Sequence, residues 1–465
     1  MGMSTLLRFA PSPTGELHLG NLRTAFLNWL ISQKLGGKLL VRVDDTDTKR
    51  NLPDAEEKIF RDLKWLGINH SHIEHQSKRN DLYTDVIKGL VASGSVYPCF
   101  CSTDLLEEER QAMLKMGKPP RYSGRCRNLS PEDVQKKISA KEPFCYRLKI
   151  PHDRGTVKWD DLIRGPQSFE ADHFGDFVLT REDGSATYNL ASIIDDVDMN
   201  VTHIVRGEDH VSNTPRQILI AEAVAKIPGI KASLTRKIED VRFGHIPLLL
   251  AADKTKLSKR NGAKTVEEYQ KEGVLPVSLK NALALVSWNP PEGKEILTTE
   301  ELIQVFEIGK MSTHPSVFAE SKLQWINSEH LKRVPQNEKV QLAEPFLKDL
   351  AGPIKITEKI LDLVWPELHV LSEIPLKLKP LLEPEAQTPT EFDKKVAQAW
   401  LDCFTADFGI WQKDVQNSTG AKGKNLYFPL RRALTGQEHG FEMRDLVDIL
   451  GESLIKERLK NYVAS

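Results

Sequence analysis

Between Arg8 and Asn21 the chain reads R-F-A-P-S-P-T-G-E-L-H-L-G-N, and K-L-S-K-R stands much further on, at Lys256–Arg260. Together these segments hold what phosphate chemistry needs, donors and cations that can meet an anion from more than one side. The first follows a short apolar stretch at Leu6 and Leu7 and leads into an amphipathic helix. Its Leu22, Ala25, Phe26, Trp29 and Leu30 fall at the i, i+3, i+4, i+7, i+8 spacing of one helix face. A strand, a tight Pro/Gly turn and a helix start form a place where backbone N–H groups and the helix dipole hold phosphate. His18 and Asn21 add side-chain donors, and Gly20 lets a flat base approach the backbone. K-L-S-K-R is a flexible cationic loop that can close over the same phosphates. Taken alone, each segment reads first as a plain helix start or a solvated loop. The pairing overturns that reading.

Around these segments, Gly36-Gly37 stops the first helix and Leu39–Val43 (L-L-V-R-V) is a buried strand ending in Asp44-Asp45-Thr46-Asp47. Strand, helix and strand of this length imply a parallel βαβ unit. A helix around Asp54–Leu66 follows. From Tyr97 to about Ala186 short strands, cysteines and a charged helix form an insertion, closing with a hairpin at F-V-L-T-R, Glu182-Asp183-Gly184 and S-A-T-Y-N. The parallel sheet resumes with a helix from Asn189 and a strand Thr202–Val205, ending at Arg206. Arg8, Asp44 and Arg206 therefore stand at or near the carboxyl ends of three strands, where open α/β sheets bind ligands. The C-terminal third is helical: Met443, Leu446, Val447 and Leu450 repeat at helical spacing, as do Leu454, Ile455 and Leu459. Prolines between Pro375 and Pro389 suggest a linker there.

Composition sets broad bounds. At 465 residues, 40% hydrophobic and 28% charged, the chain is an ordinary globular protein of several domains. Sixty-four basic residues against 65 acidic ones leave a net charge of −1, so any surface for RNA must be a local patch with salt-dependent affinity. No apolar run reaches membrane-spanning length and nothing at the N-terminus resembles a signal peptide, which suggests a cytoplasmic or organellar-matrix protein with no membrane partner. The five cysteines are odd in number and three cluster, the pattern of a reducing compartment with metal binding rather than disulfides.

With H-L-G-N and K-L-S-K-R in this order, the chain resembles the class I aminoacyl-tRNA synthetases, whose signatures are H-I-G-H and K-M-S-K-S. The strings F-A-P-S-P-T-G, V-D-D-T-D, Y-P-C-F-C, R-G-E-D-H-V-S-N-T-P-R-Q and F-P-L-R-R-A-L-T-G make it similar to bacterial-type glutamyl-tRNA synthetases along nearly its whole length. The resemblance implies an α/β fold: a split Rossmann-type catalytic domain (1–96 and 187–250) around an α+β acceptor-end insertion (97–186). A stem-contact domain carrying the lysine loop (251–335) and an all-helical anticodon-binding region (336–465) follow. It implies a monomer acting on ATP with Mg²⁺, L-glutamate and tRNA-Glu, or also tRNA-Gln. His18, Asn21, Lys256 and Lys259 take the catalytic places, and Pro11, Thr14, Gly20 and Ser258 join them around ATP. Arg8, Ala10, Ser12, Asp44, Tyr188 and Arg206 take the places that hold glutamate. Two arginines suit a side-chain carboxylate, because the guanidinium fork is bidentate and a neutral amide would leave charge unpaired. Asp44 departs from the family's usual I-E-D-T-D, being one methylene shorter where the substrate ammonium is held.

The same resemblance bears on metal. Cys99-x-Cys101 and Cys126 are similar to a family zinc pattern, C-x-C then C-x-H, but Asn128 stands in the place of the histidine and is a poor ligand. Related proteins that modify tRNA with glutamate use a tyrosine four residues before the third cysteine, and Tyr122 has that spacing. Zinc on Cys99, Cys101, Tyr122 and Cys126, or three reduced thiols, are the two readings. His70, His72 and His75 match no motif and read as exposed histidines, and Cys145 and Cys403 as small buried residues. Lys422, Lys424, Arg431 and Arg432 are basic candidates for RNA contact. Two other classes compete: a nucleotidyltransferase that activates a small carboxylate without RNA, opposed by the long helical C-terminal region, and a non-catalytic tRNA-binding paralogue, opposed by His18 and the lysine loop.

Overall fold

Arg8 lies in a four-residue strand, Leu6–Phe9 (β1), in the interior of a seven-stranded sheet. The computed structural model describes residues 4–47, 50–117, 119–257, 262–348, 350 and 354–465. The chain separates into two units, one of residues up to Glu267 with Lys280–Ala319, the other of Glu268–Leu279 with Glu320–Ser465. The first unit continues as helix α1 (Leu19–Lys34), β2 (Lys38–Val43), α2 (Ala55–Trp65), β3 (Ile73–His75), α3 (Asn80–Ala92), β4 (Val96–Cys99), α4 (Thr103–Lys115) and α5 (Pro131–Ser139). Then come β5 (Cys145–Leu148), β6 (Thr156–Asp161), β7 (Gly165–Glu170), α6 (Tyr188–Asp198), β8 (His203–Gly207), α7 (Thr214–Val224) and β9 (Arg242–Ile246).

The sheet order is β3-β2-β1-β8-β9-β6-β7, parallel throughout except for the β6–β7 hairpin. The expected strands are present within a residue or two of their sequence positions, and the order turns about β1 and β8, which makes their carboxyl ends a switch point. The α/β fold with a helical C-terminal region is as the sequence implies. Two strands sit elsewhere: β6 and β7, in the stretch assigned to the insertion, hydrogen-bond into the main sheet, β6 running beside β9 with Asp161 opposite Phe243. Within that stretch β4 and β5 make a separate two-stranded sheet, and the expected hairpin is present as a Thr180–Ala186 bridge.

Helix α1 is not amphipathic as its apolar spacing suggests. Leu27, Asn28, Ile31 and Ser32 are buried along with the predicted face, as in a helix covered on all sides. Its polar members are held by backbone carbonyls: Asn28 Nδ2 donates to Thr24 O at 2.8 Å and to Val205 O at 3.0 Å, and Arg23 Nη1 to Pro247 O at 3.0 Å, while Asn28 Oδ1 and Arg23 Nε stay buried without a partner. The helix ends as expected. Gly36 has φ 61°, Gly36 N donates to Gln33 O at 3.1 Å and Gly37 N to Ser32 O at 2.8 Å, closing the last turn in a left-handed C-cap.

The second unit is helical and holds its own core around Trp365, Trp400, Trp411, Leu430 and Leu446. Trp400 and Trp411 meet edge to face at 4.7 Å, and their indole N–H groups donate to Leu426 O and Trp400 O at 2.9 and 2.7 Å. The final helix, Met443–Ala464, carries the predicted repeats but breaks at Gly451, φ 71° and ψ 162°. The proline stretch is a linker only in its second half: Ile374–Leu382 is a helix, with Pro375 in its first turn and Pro380 inside it, that buries Leu378, Leu381 and Leu382, whereas residues 383–390 are irregular and lead to the helix Glu391–Asp402.

Candidate active site

A cavity of about 350 Å³ opens at the carboxyl ends of β1, β2, β8 and β9. Arg8, Ala10, Pro11, Ser12, Thr14, His18, Gly20, Asn21, Asp44, Tyr188, Arg206 and Lys256 all line it. The sequence thus brings residues from five separate stretches to one place. Ser258 and Lys259 lie outside the described residues. The loop after β1 is tied to the loop after β2: Asp44 N donates to Pro11 O at 2.9 Å and Leu52 N to Pro13 O at 2.9 Å. Lys256 reaches the cavity from a hairpin in which Leu257 N donates to Leu249 O at 2.9 Å, and its Nζ stands 3.5 Å from Asp209 Oδ2.

His18 is the N-cap of α1. Its Nδ1 accepts from Gly20 N at 3.1 Å and from Asn21 N at 3.3 Å. The N–H groups expected to meet phosphate are therefore taken by the imidazole. A lone pair on Nδ1 places the ring proton on Nε2, so His18 is fixed as a neutral donor on its other edge. Gly20 has a local reason as well: a Cβ there would lie 3.1 Å from the His18 ring atoms.

The arginines differ in their surroundings. Arg8, 3% exposed, donates Nε to Asp196 Oδ1 at 3.1 Å and Nη1 to Val205 O at 3.2 Å. Arg42, in β2, donates to Asp44 at 2.7 and 3.3 Å and to Asp196 at 2.6 Å. Burial lifts the Asp44 carboxyl to about 6 against the pull of Arg42. Arg206, 4% exposed, has no carboxylate in its hydrogen bonds: Nε faces His245 Nε2 at 3.3 Å and Nη2 donates to Thr214 Oγ1 at 2.7 Å. Its Nη1 is sealed from solvent with no hydrogen bond of normal geometry, and the Tyr188 phenol lies close enough to support the guanidinium through charge and a loose hydrogen-bond contact. Burial pulls this guanidinium below its usual range. A buried cation with an unused donor, lining a cavity, is a site for an anion.

Several lining residues escape the sequence argument. Arg23, Arg50, Asp209, His210 and Ile246–Leu249 complete the walls. Glu208 fixes the last of these, accepting from Leu248 N at 2.7 Å and from Arg164 at 2.6 Å. The rule that placed Arg8, Asp44 and Arg206 applies equally to the end of β9 and would have found this segment.

Away from the cavity, the Sγ atoms of Cys99, Cys101 and Cys126 lie within 4.8 Å of one another. Tyr122 Oη stands 3.4 Å from Cys99 Sγ and 3.6 Å from Cys101 Sγ, and Cys101 and Cys126 Sγ are 3.6 Å apart. A tetrahedral zinc with Zn–S bonds of ~2.3 Å has S···S edges of ~3.8 Å and S···O edges of ~3.5 Å. The Tyr122 contacts and the Cys101–Cys126 pair match those edges, the three Sγ atoms together spread within 4.8 Å, and the Arg147 guanidinium stands 3.8 Å over the Tyr122 ring. Asn128 is exposed and Cys145 only half-buried, as is Cys403, against the expectation of burial. Of the three histidines, only His72 is exposed: His70 packs on Phe60 at 5.5 Å, and His75 bonds Glu56 at 3.1 Å. In the helical unit Arg432 pairs with Asp393 at 3.1 Å and with Glu438, and Arg431 holds Phe441 O, so both serve packing inside that unit, while Lys422 and Lys424 are exposed.

The cap makes a first prediction. His18→Ala removes two backbone partners and should lower stability by about 1 kcal/mol. His18→Asn, a good N-cap, should recover most of that in a denaturant titration without restoring the Nε2 donor. An alanine variant as stable as the parent would show that the cap is not made.

Comparison with known proteins agrees with this geometry. Residues 5–325 match the family of class I tRNA synthetases (E and Q), catalytic domain, and residues 409–463 match an anticodon binding domain. A glutamate–tRNA ligase of Aquifex aeolicus is 39% identical, covering 97% of each chain, and one of Bacillus subtilis is 36% identical over 99% of this chain and all of the relative. The crystal structure of a glutamate tRNA ligase from Elizabethkingia meningosepticum in complex with its amino acid superposes with a TM-score of 0.87 at 26% identity, over the full length of both chains. Two ordered signatures, a switch-point cavity lined by both and relatives matching end to end lead to one assignment: the chain belongs to the glutamate–tRNA ligases of the class I aminoacyl-tRNA synthetases.

Proposed function

We propose that the cavity activates L-glutamate with ATP and that the glutamyl group then passes to the 3′ end of tRNA-Glu. The observation that carries the amino-acid assignment is Arg206, a buried guanidinium with a sealed, unpartnered Nη1 and no carboxylate of its own. A side-chain carboxylate supplies the missing charge, and Arg8 approaches from β1. Asp44 holds the substrate ammonium: each of its oxygens accepts from Arg42 and keeps lone pairs for a second donor. Ala10, Ser12 and Tyr188 complete this half of the site.

In the first step an α-carboxylate oxygen attacks the α-phosphorus, the P–O bond to the β-phosphate breaks and pyrophosphate leaves. In the second, the terminal ribose hydroxyl takes the acyl group and AMP leaves. No covalent enzyme intermediate is needed, so catalysis rests on alignment and on charge aimed at the pentavalent phosphorus. His18 Nε2–H and Asn21 supply donors from the start of α1, with Pro11, Thr14 and Gly20 shaping the nucleotide side, and Lys256 supplies a cation. Ser258 and Lys259 join them by family resemblance. Mg²⁺ brought in with ATP neutralises the β/γ phosphates. Aminoacylation of total tRNA with labelled glutamate, with the charged species identified, tests the reading and shows whether tRNA-Gln is also a substrate.

Three outcomes follow. Arg206→Ala strands a substrate carboxylate in a dry site, which costs roughly 3–5 kcal/mol. It should lower kcat/KM for glutamate at least a hundredfold with the KM for ATP nearly unchanged, and the parent should barely activate glutamine. Glutamine activation rivalling that of glutamate would remove the pocket assignment. Asp44 takes up a proton as pH falls through about 6, and the neutral acid cannot pair with an ammonium. The KM for glutamate should therefore rise below that pH while the KM for ATP does not, and Asp44→Asn should be weak and flat across the same range. If the variant keeps the parent's acid limb, another group is responsible. As for metal, zinc on Cys99, Cys101, Tyr122 and Cys126 predicts about one equivalent by elemental analysis, lost in Cys126→Ser. Metal-free protein with three titratable thiols in this cluster rejects the site.

A further inference from the structure

The Arg206 side chain is held on its protein side by neutral groups alone, and their hydrogen bonds fix which way each donor points. Asp161 stands at the end of β6, beside β9. Its Oδ1 accepts from three backbone N–H groups, Ile163 at 3.1 Å, Arg164 at 3.0 Å and His245 at 3.1 Å. Its Oδ2 lies 2.5 Å from His245 Nδ1. Both groups are fully buried, and a carboxylate saturated in this way stays ionised and can only accept. The proton is therefore on Nδ1, and Nε2 of His245 is a lone pair. That lone pair faces Arg206 Nε at 3.3 Å and Thr214 Oγ1 at 2.9 Å, while Thr214 Oγ1 accepts from Arg206 Nη2 at 2.7 Å. Two of the guanidinium's nitrogens are engaged by this ring, and Nη1 is the one left over.

We propose that Asp161 and His245 are positioning residues for substrate selection: the carboxylate sets the imidazole tautomer, and the imidazole with Thr214 orients Arg206 so that Nη1 meets the substrate's side-chain carboxylate. The inference rests on the glutamate reading above. Using neutral acceptors has a physical reason. A carboxylate in the place of His245 would neutralise Arg206 inside the protein and leave no charge for the ligand to match. Burial keeps the imidazole neutral, pulling His245 below its usual range, and its hydrogen bonds hold Asp161 low. Asp161 sits about 45 residues from Arg206 and 84 from His245 in sequence, on a strand that joins the main sheet by running beside β9, so no local motif announces it.

Asp161→Asn tests the proposal. The amide oxygen can keep the backbone bonds, but its NH₂ now donates to Nδ1, which moves the ring proton to Nε2 and sets donor against donor at Arg206. In tRNA-dependent aminoacylation the KM for glutamate should rise tenfold or more, with kcat and the KM for ATP within about twofold of the parent. Histidine-selective ¹⁵N spectra, assigned with a His245 variant, should show the protonated nitrogen switching from Nδ1 to Nε2. Thr214→Val, close in volume and lacking the hydroxyl, is the second variant and should raise the glutamate KM with the tautomer unchanged. A switched tautomer with an unaltered glutamate KM overturns the proposal, and so does a loss that falls equally on glutamate, ATP and thermal stability in both variants. A parent enzyme that does not use glutamate overturns the function reading instead, and the tautomer measurement stands apart from it.

Discussion

The site depends on charges that have been taken out of water and must therefore be paired inside the protein. Asp195 and Asp196, adjacent in α6 and almost fully buried, are the centre of that pairing. Asp196 Oδ1 accepts from Arg8 of β1 at 3.1 Å and from Arg42 of β2 at 2.6 Å. Asp195 accepts from Arg79 at 2.6 Å, Gln76 at 2.8 Å and Tyr83 at 2.8 Å. One turn of helix thus fixes two neighbouring strands and the segment after β3. Such pairs add little net stability over an apolar packing, since desolvation offsets the attraction, but losing one partner is costly. Their effect here is positional. Arg8 cannot swing away from the end of β1 without leaving Asp196 half-paired.

In the proposed reading, that arrangement throws the selectivity onto Arg206. Arg8 and Arg42 are matched by Asp44 and Asp196, whereas Arg206 is met by an imidazole and a hydroxyl. A glutamate side chain brings the one charge this corner lacks, and a glutamine amide brings none. Discrimination between two substrates of nearly equal shape then comes from electrostatics in a dry cavity, where an unmatched charge is worth far more than a methylene of fit.

How much of this the sequence displays follows from the range of the interactions. Strand ends are legible because hydrophobic periodicity and turn residues are local, and they placed Arg8, Asp44 and Arg206 correctly. The second helix face of α1 was not, because Asn28 and Ser32 look solvent-facing until Val205 O and Trp29 O are seen to satisfy them. Asp195-Asp196 reads as an ordinary polar step in a helix for the same reason: its partners are over 100 residues away. Pro375 misled, because its first-turn position in Ile374–Leu382 removes the conflict with helix that proline usually signals, and Pro380 is carried inside the same helix by the burial of Leu378, Leu381 and Leu382 around it. The strand β6 was drawn into the insertion because chain order gives no hint that it returns to the main sheet beside β9.

Two histidines show most clearly what geometry adds to residue identity. His18 and His245 are the same side chain, both neutral, both with Nδ1 spent on the protein. His18 Nδ1 accepts from the backbone of α1, so the ring presents a donor at Nε2. His245 Nδ1 donates to Asp161, so the ring presents an acceptor at Nε2. The first suits charge developing on a phosphate, and the second suits a guanidinium that has to be held without being neutralised. Exchanging the two tautomers would set a donor against Arg206 and, in the role proposed for His18, an acceptor against phosphate oxygens. The chemistry of both positions is therefore decided one bond behind the working nitrogen, by a helix start in one case and a strand-end carboxylate in the other.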